Sequence, residues 1–331
     1  MSIHSLSKRI PNHRWYHFIS LVFIISTTII SLFLLIWYIK LFEQSRIKHN
    51  IINELSTNGI YVQYYHSHKL EWILELIGLT YIKDVSGIDI SCDANDRALE
   101  LLKELPYIQN IKIENSKITD SGLSNLKYLH NIHKIYISNS NINLSGLTYI
   151  KEQNKIDKLY IIGVANAKMK YLKDMTGLQF LLIHGVPLTD SDLEYLTNMR
   201  NLKELSISGE MITDEGLKRI NNLSNLESLD IGCTNTNGTC LKYFKDMKKL
   251  KRLIMGYTNI TDDNMLYIKD LIHICHLDIE NTKITDASLV YFEKLKYLSY
   301  LNIKNTAITD EGMKLLGNRV STIDMEEELY K

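Results

Sequence analysis

Few stretches of this chain bring chemically competent side chains together. His273-Ile274-Cys275-His276 offers three metal-ligating residue types within four positions. Zinc is usually held by two such clusters at defined spacing, and no second cluster is available. Cys275 and His276 are also neighbours in a segment that reads as extended, so their side chains leave on opposite faces. A zinc site is therefore not expected. The four cysteines (Cys92, Cys233, Cys240, Cys275) show no paired spacing; Cys233 and Cys240 could meet, but buried free thiols are the expectation. Asn143, Asn222, Asn237 and Asn259 begin glycosylation sequons in an Asn-rich chain and are discounted for that reason. No Gly-rich phosphate loop is present, and no nucleophile–base–acid set stands out. We expect no catalytic residues, no cofactor and no enzymatic activity.

Six aspartates, Asp120, Asp190, Asp214, Asp262, Asp286 and Asp310, each follow Ile-Thr or Leu-Thr. Their equal placement points to a structural post rather than a catalytic array, and it leads to the elements that position everything else. The frame is L-x-x-L-x-I-x-x-T-x-I-T-D-x-x-L-x-x-L. Its cores fall at Ile111, Ile135, Leu159, Leu181, Leu205, Leu229, Leu253, Leu277 and Leu301, 24 residues apart except for 22 between Leu159 and Leu181. A weaker copy stands at Ile88-Asp89-Ile90 and a truncated one at Ile323-Asp324-Met325. A sustained period of this length signals a repeat architecture.

Each position has a physical role. L-x-I alternation gives a short strand with one buried face. The hydroxyl five residues after the core (Ser116, Ser140, Thr234, Thr258, Thr282, Thr306) turns inward to satisfy backbone groups as the chain leaves the strand. The following Ile or Leu plugs the core. Thr-Asp then starts a short helix, as an oxygen-bearing cap with negative charge at its N-terminus, and L-x-x-L is that helix's apolar stripe. The unit around Leu159 lacks the Ile-Thr-Asp plug (Val164-Ala165-Asn166), and the unit around Leu229 has Thr236-Asn237-Gly238 instead. Such irregular units are expected to change the local curvature.

These I-T-D-x-G-L-x-x-L units resemble the leucine-rich repeats of cysteine-containing and F-box-linked proteins. The resemblance implies an α/β leucine-rich-repeat solenoid, a horseshoe with a parallel concave sheet and convex helices. It implies no enzymatic function, and with no F-box-like segment it implies no ubiquitin-ligase role. The layout as a whole, with Arg14-Trp15-Tyr16, one apolar helix, Gly59 to Tyr64 and Trp72-Ile73-Leu74 before the repeats, resembles membrane-anchored repeat proteins of planctomycete-type bacteria.

Taken in order, residues 1–17 form a basic tail and residues 18–39 a transmembrane helix. Phe18 to Ile39 runs 22 residues without a charge, 15 of them Leu, Ile, Val or Phe. As a helix this spans about 33 Å, enough for a hydrocarbon core of roughly 30 Å, with about −5 to −9 kcal/mol favouring insertion. Trp15, Tyr16, Trp37 and Tyr38 flank it as an aromatic belt would. A cleaved signal peptide would have a shorter apolar region ending in small residues. Lys8, Arg9 and Arg14, with no acid nearby, place the N-terminus in the cytoplasm and the repeats outside it. Residues 40–84 read as a juxtamembrane segment and N-terminal cap, in which Phe42 to Leu55 forms a helix, Gly59 to Tyr65 a strand and Leu70 to Ile77 an amphipathic stretch. Residues 85–325 hold about 10–11 repeats, and 326–331 are a tail. With 38 basic and 38 acidic residues the net charge is zero, which argues against nucleic acid as a partner. Three prolines leave no room for a long linker.

In this arrangement the residues flanking each strand core face outward on the concave side. Lys134, Tyr136, Lys158, Tyr160, Ile162, Phe180, Leu182 and His184 fall on three adjacent strands, and Asp230, Asp278 and Glu280 lie further along. Five large apolar side chains exposed together mark an interaction site, and the flanking charges would give the groove a gradient. These eleven residues are the expected ligand-binding set for a protein or peptide, in a single-pass protein held in the membrane by Phe18 to Ile39. The alternative is an envelope-organising protein that packs against its own copies or wall polymers.

Overall fold

A computed structural model describes residues 12–64, 85–91, 94–105, 107–151 and 155–320. Most of the basic tail, the stretch Leu70 to Ile77 with Trp72-Ile73-Leu74, Cys92, the repeat at Ile323 to Met325 and the tail 326–331 lie outside those residues. The chain divides into two units, residues 1–54 with 66–83, and residues 55–65 with 84–331.

The first unit is dominated by helix α1, Asn12–Thr57, which is one continuous helix rather than a span followed by a separate cap helix. Nothing in its sequence breaks it, since 12–57 contains neither glycine nor proline. Tyr16–Lys40 has a mean hydropathy of 2.7 and is long and apolar enough to cross a membrane, with no part of it buried by protein. Four of its hydroxyls are satisfied within the helix: Ser20, Ser26, Thr27 and Thr28 each donate to the carbonyl three residues back, at 2.8–2.9 Å. The helix stops where Gly59 adopts φ 75°, a left-handed conformation that costs glycine little.

The second unit is an eleven-stranded sheet in strict sequence order, β1 to β11. β1 (Ile60–Tyr64) pairs antiparallel with β2 (Val85–Ile90) and covers an edge that would otherwise be open to pairing. The remaining strands, β3 (Asn110–Glu114), β4 (Lys134–Ser138), β5 (Lys158–Ile162), β6 (Phe180–His184), β7 (Glu204–Ile207), β8 (Ser228–Asp230), β9 (Arg252–Ile254), β10 (His276–Asp278) and β11 (Tyr300–Asn302), follow in parallel. The predicted cores pair one-to-one: Ile111 with Ile135, Ile135 with Leu159, Leu159 with Leu181, and so on to Leu277 with Leu301. All of them are buried, as are the plugs Ile118, Leu188, Ile212, Ile260 and Ile284. Each buried Leu or Ile contributes about 1.5–3 kcal/mol, so the stack is held chiefly by its apolar axis.

Five of the six inward hydroxyls do the expected work, and Ser116 Oγ is instead buried without a hydrogen-bond partner. Thr234, Thr258, Thr282 and Thr306 each donate to the carbonyl three residues back at 2.6–2.7 Å. From β3 on, each strand then leaves through a positive-φ residue, for example Asn115, Asn139, Gly185, Asn281 and Asn305. The convex segments are shorter and tighter than the helices expected. Most are short 3-10 segments such as Gly122–Tyr128, with α-turns only at places such as Asp214–Leu217 and Asp310–Met313. A 24-residue unit leaves only one or two turns for this side, and the 3-10 turn covers more length per residue.

The aspartates differ from expectation in a telling way. Threonine is the cap of its own turn: Thr213, Thr285 and Thr309 accept from a backbone N–H two or three residues on. The aspartate instead reaches into the next unit. Asp190 accepts from Thr213 N and Oγ1 at 2.7 and 2.6 Å, and Asp96, Asp262 and Asp286 do the same for Thr119, Thr285 and Thr309. Asp120 accepts from Asn143 N and Gly146 N. Asp214 accepts from Thr236 Oγ1, Asn237 N and Cys240 N. These carboxylates bracket consecutive units on the convex side.

Each bracket demands a small partner 26 residues on. A Cβ on Gly122, Gly216 or Gly312 would lie 2.1–2.2 Å from Oδ1 of Asp96, Asp190 or Asp286. The residues at that spacing from the six bracketing aspartates are Gly122, Gly146, Gly216, Cys240, Ser288 and Gly312. Where the bracket position is Leu144, Asn166 or Gly238, the corresponding residues are the larger Lys168 (24 residues on, because the β5 unit is two residues short), Asp192 and Asn264. Gly216→Ala is expected to destabilise the protein by roughly 1–3 kcal/mol, and Asp190→Ala to cost a similar amount through the stranded Thr213 donors. The two losses should be less than additive in a double variant, since removing the Asp190 carboxylate relieves the closest clash of the new methyl, at 2.2 Å, and leaves the contact with the Asp190 Cα at 2.8 Å. Urea midpoints of the four proteins measure this, and strict additivity would contradict the bracket.

Candidate functional site

Register places the outward-facing residues in straight columns. One runs Asn110, Lys134, Lys158, Phe180, Glu204, Ser228, Arg252, His276, Tyr300, and the next runs Lys112, Tyr136, Tyr160, Leu182, Ser206, Asp230, Ile254, Asp278, Asn302. All eleven predicted residues occupy this face or its exit edge. Seven of the first eight lie side by side as half-buried groups on β4 to β6, and Lys158 is the exposed one. The rings are less exposed than the sequence suggested because they cover one another. Tyr160 and Phe180 have centroids 4.6 Å apart, and Tyr136 and Tyr160 are 5.9 Å apart. The Lys134 ammonium sits 4.7 Å above the Tyr160 ring, and that of Lys112 5.5 Å from Tyr136. Such cation–π contacts add about 0.5–1 kcal/mol each at exposed sites. Lys112 is also paired with Glu114 at 2.6 Å. This hydrogen-bonded pairing raises the pKa of Lys112 and lowers that of Glu114.

The acidic residues are not part of that patch. Asp230 is two strands beyond Leu182 and Asp278 four, about 19 Å at normal strand spacing. They belong to a different kind of surface, built from turns. Asp230 accepts from Gly232 N, Asp278 from Glu280 N, and Asn302 from Lys304 N, each within about 3.1 Å. A side chain that takes the backbone donor two residues on competes with the strand ladder. β8, β10 and β11 are three residues long where β3 to β6 have five, and so is β9, which carries Ile254 at that position. Asn302 Nδ2 bridges Asp278 and Glu280 at 3.1 and 3.2 Å, and the Tyr257 hydroxyl donates to Glu280 at 2.9 Å. Burial, joined by repulsion from Glu280 and Asp230, pushes the Asp278 carboxyl up. The Tyr257 contact could not be foreseen, because that residue belongs to the left-handed exit column rather than to a strand.

One triad of residue types does assemble. His184 Nε2 lies 2.7 Å from Ser206 Oγ, and Ser206 donates to Asp230 Oδ2 at 2.8 Å. The order is wrong for activating a nucleophile. The carboxylate holds the serine proton, so the imidazole must donate to Oγ, and the aspartate does not orient the imidazole. Burial lowers the His184 pKa, with Asp230 opposing the shift. The chain ties β6, β7 and β8 together across the concave face.

His273 and His276 are ring-stacking groups, on Tyr297 at 6.1 Å and on Tyr300 at 3.9 Å. Cys275 beside them carries no disulfide, and among the described residues no group of three or more His, Cys, Asp or Glu is placed to hold a metal ion. Cys233 and Cys240 are both free, but only Cys240 is buried, whereas Cys233 is exposed. The sequon asparagines serve the repeat. Asn143 and Asn237 cap the turns at Ser145 and Thr239, while Asn222 and Asn259 reach the preceding unit.

His276 sets a pH dependence. Burial, with repulsion from Arg252, lowers its pKa to about 4, against about 6.5 for an unfolded histidine. Between those values the unfolded chain binds a proton that the folded chain refuses, so stability falls as pH drops through this window. Urea midpoints at about pH 7 and about pH 4.5 should show wild type losing roughly 1–2 kcal/mol more than His276→Gln, a figure reduced for partial exposure. Equal losses would contradict the assignment.

The leucine-rich-repeat family profile matches residues 294–317, and no curated protein matches the chain. Among solved structures, an internalin (inlF) of Listeria monocytogenes is 16% identical, with 78% of this chain and 94% of that chain covered and a TM-score of 0.42. Internalin C2 of the same organism is 19% identical, with 68% and 84% covered and a TM-score of 0.44. A chain of the octameric complex of Latrophilin 3, Unc5D and FLRT2 is 14% identical, with 72% and 83% covered and a TM-score of 0.52; this last likeness speaks for the fold alone. The 24-residue unit, the parallel strands stacked in sequence order and the profile match on the last described repeat make this chain a leucine-rich-repeat protein.

Proposed function

We propose that the repeats bind a protein or peptide along the concave face, with Tyr136, Tyr160, Phe180 and Leu182 as the anchor. The observation that carries this reading is the run of aromatic and aliphatic side chains across β4, β5 and β6, stacked on one another but left open on their outer side. Rigid aromatic rings already ordered by stacking lose little entropy on contact and supply most of the energy of typical interfaces. Lys134 and Lys158 beside them favour an acidic neighbour on the ligand. His184, Asp230, Asp278 and Glu280 then fix orientation further along the groove. The reading is binding rather than catalysis, because His184, Asp230, Asp278 and Glu280 are engaged with neighbouring side chains or with the backbone.

We further read Tyr16–Lys40 as a single membrane anchor, with the N-terminus cytoplasmic and the repeats outside. Length and composition support the span, and the basic flank supports the orientation.

The test is capture by the full-length protein in detergent, compared with a Tyr160→Ala/Phe180→Ala double variant. Wild type should retain one or more proteins that the variant loses by at least about tenfold, the two-hot-spot expectation, with circular dichroism unchanged. Identical captured sets would sink the concave-face reading, and concentration-dependent self-association of both forms would move the case to the envelope-organising alternative. Protease treatment of intact cells tests the orientation, which requires the repeats to be cleaved without lysis.

A further inference from the structure

The bracket is missing at three seams, and two of them, β4/β5 and β5/β6, lie under the anchor. At the seam between the β4 and β5 units, buried Leu144 replaces the aspartate with hydrocarbon. There the convex side is still joined by Asn166 Nδ2 to Asn141 Oδ1 at 2.6 Å and by Lys151 to Asp174 at 3.1 Å. Between the β8 and β9 units Asn264 reaches the Asn237 carbonyl at 3.3 Å. The seam between the β5 and β6 units keeps no such tie across its convex turns, and its one side-chain hydrogen bond among the described residues of the return segments is Asn201 Nδ2 to the Thr176 carbonyl at 2.9 Å, where the units run into their next strands. Asn166, which holds the bracket position of the β5 unit, is turned back towards β4. The two donors it would have served, Thr189 N and Oγ1, are taken instead by Asp192 of their own unit at 3.0 and 2.8 Å. Among the described residues no side-chain hydrogen bond or ion pair joins 163–175 to 185–199. The same seam borders the one unit that is two residues short.

On the opposite side this seam is held tightly. β5 and β6 pair over five residues, and the shortest ring contact of the patch, Tyr160 with Phe180, lies directly across it. We propose that the seam between the β5 and β6 units is a flexure, free to open on its convex side and pivoting on the Tyr160–Phe180 stack, so that occupancy of the concave face and opening of the seam are coupled. A ligand bridging Tyr160 and Phe180 restrains the pivot, and by linkage a seam locked shut changes affinity for that ligand. Asn166 and Asp192 are the positioning residues. The coupling rests on the binding reading given above, whereas the flexure does not.

Hydrogen exchange on the full-length chain in detergent, without ligand, tests the flexure alone. In wild type the amides of 188–193 should exchange faster than the equivalent amides of 212–217, which the Asp190 bracket covers. Restoring the bracket takes two changes, because a new carboxylate at 166 would collide with the Asp192 side chain. Asn166→Asp alone should therefore give no added protection, and Asp192→Gly alone should lose protection by freeing Thr189. Asn166→Asp with Asp192→Gly should slow exchange of 188–193 about tenfold relative to wild type, the worth of roughly one charged hydrogen bond. In the opposite sense, Asp190→Asn should speed exchange at 212–217 to the level of 188–193. The proposal is overturned if the two segments exchange alike in wild type, or if the double variant is no slower than wild type. If exchange follows this pattern and the Tyr160→Ala/Phe180→Ala variant still captures every partner, the flexure stands and the binding reading falls.

Discussion

A carboxylate that accepts two hydrogen bonds from the following repeat is the constraint on which the convex half of this molecule depends. Strand pairing and the apolar axis would hold the stack together without it, but neither fixes how closely the outer turns approach. Hydrogen bonds to an ionised acceptor are worth about 1.5–3 kcal/mol each where the donors are shielded, and most brackets use the Thr N–H and the Thr hydroxyl together. The arrangement sets the spacing, satisfies the first donors of each turn and dictates a residue without bulk at a fixed distance downstream. Asp214 illustrates the balance. Burial alone would raise its pKa, but hydrogen bonds from Thr236, Asn237 and Cys240 outweigh that and hold the carboxyl below its ordinary value.

Much of this was legible in the amino-acid order. The strand cores, plugs and inward threonines announce themselves because each position obeys one dominant force: burial for Leu and Ile, backbone satisfaction for the hydroxyl. The columns of the concave face followed at once, since period-two alternation leaves no choice about which residues face outward. What could not be read was the destination of side chains that have two possible partners. Asp190 could cap its own turn or serve the next unit, and only the distance to Thr213 decides. The exposure of Tyr160 was overread for a related reason. Its neighbours in space, Tyr136 and Phe180, cover it, and the amount of mutual cover depends on rotamers. Tyr257 was invisible as a partner of Glu280, because a tyrosine in a left-handed turn is not something a repeat pattern announces.

The concave face is two surfaces joined by a polar ladder. On β4 to β6 the side chains are long, flat and mutually stacked, and the strands run to five residues. From β8 onward every strand runs to three residues, and at three of the four Asp or Asn stands in the middle column and takes the backbone donor two residues on. The His184–Ser206–Asp230 chain spans the change from one regime to the other, holding the strands in register where the ladder shortens.

The paired demands of the bracket make each repeat resemble a domino, with one mark for the unit before it and one for the unit after. The units containing Asp214/Gly216 or Asp310/Gly312 carry matching marks at both ends and could be copied in tandem without a mismatch. Removal of the β5 unit would set Leu144 against Asp192, two residues that already live without a bracket, so the chain could close over the gap. Loss of the β9 unit would instead place Gly238 before Ser288 and leave a small residue with nothing to receive. Growth and shrinkage of such an array by gene duplication are thus channelled by a carboxylate and the empty space 26 residues away.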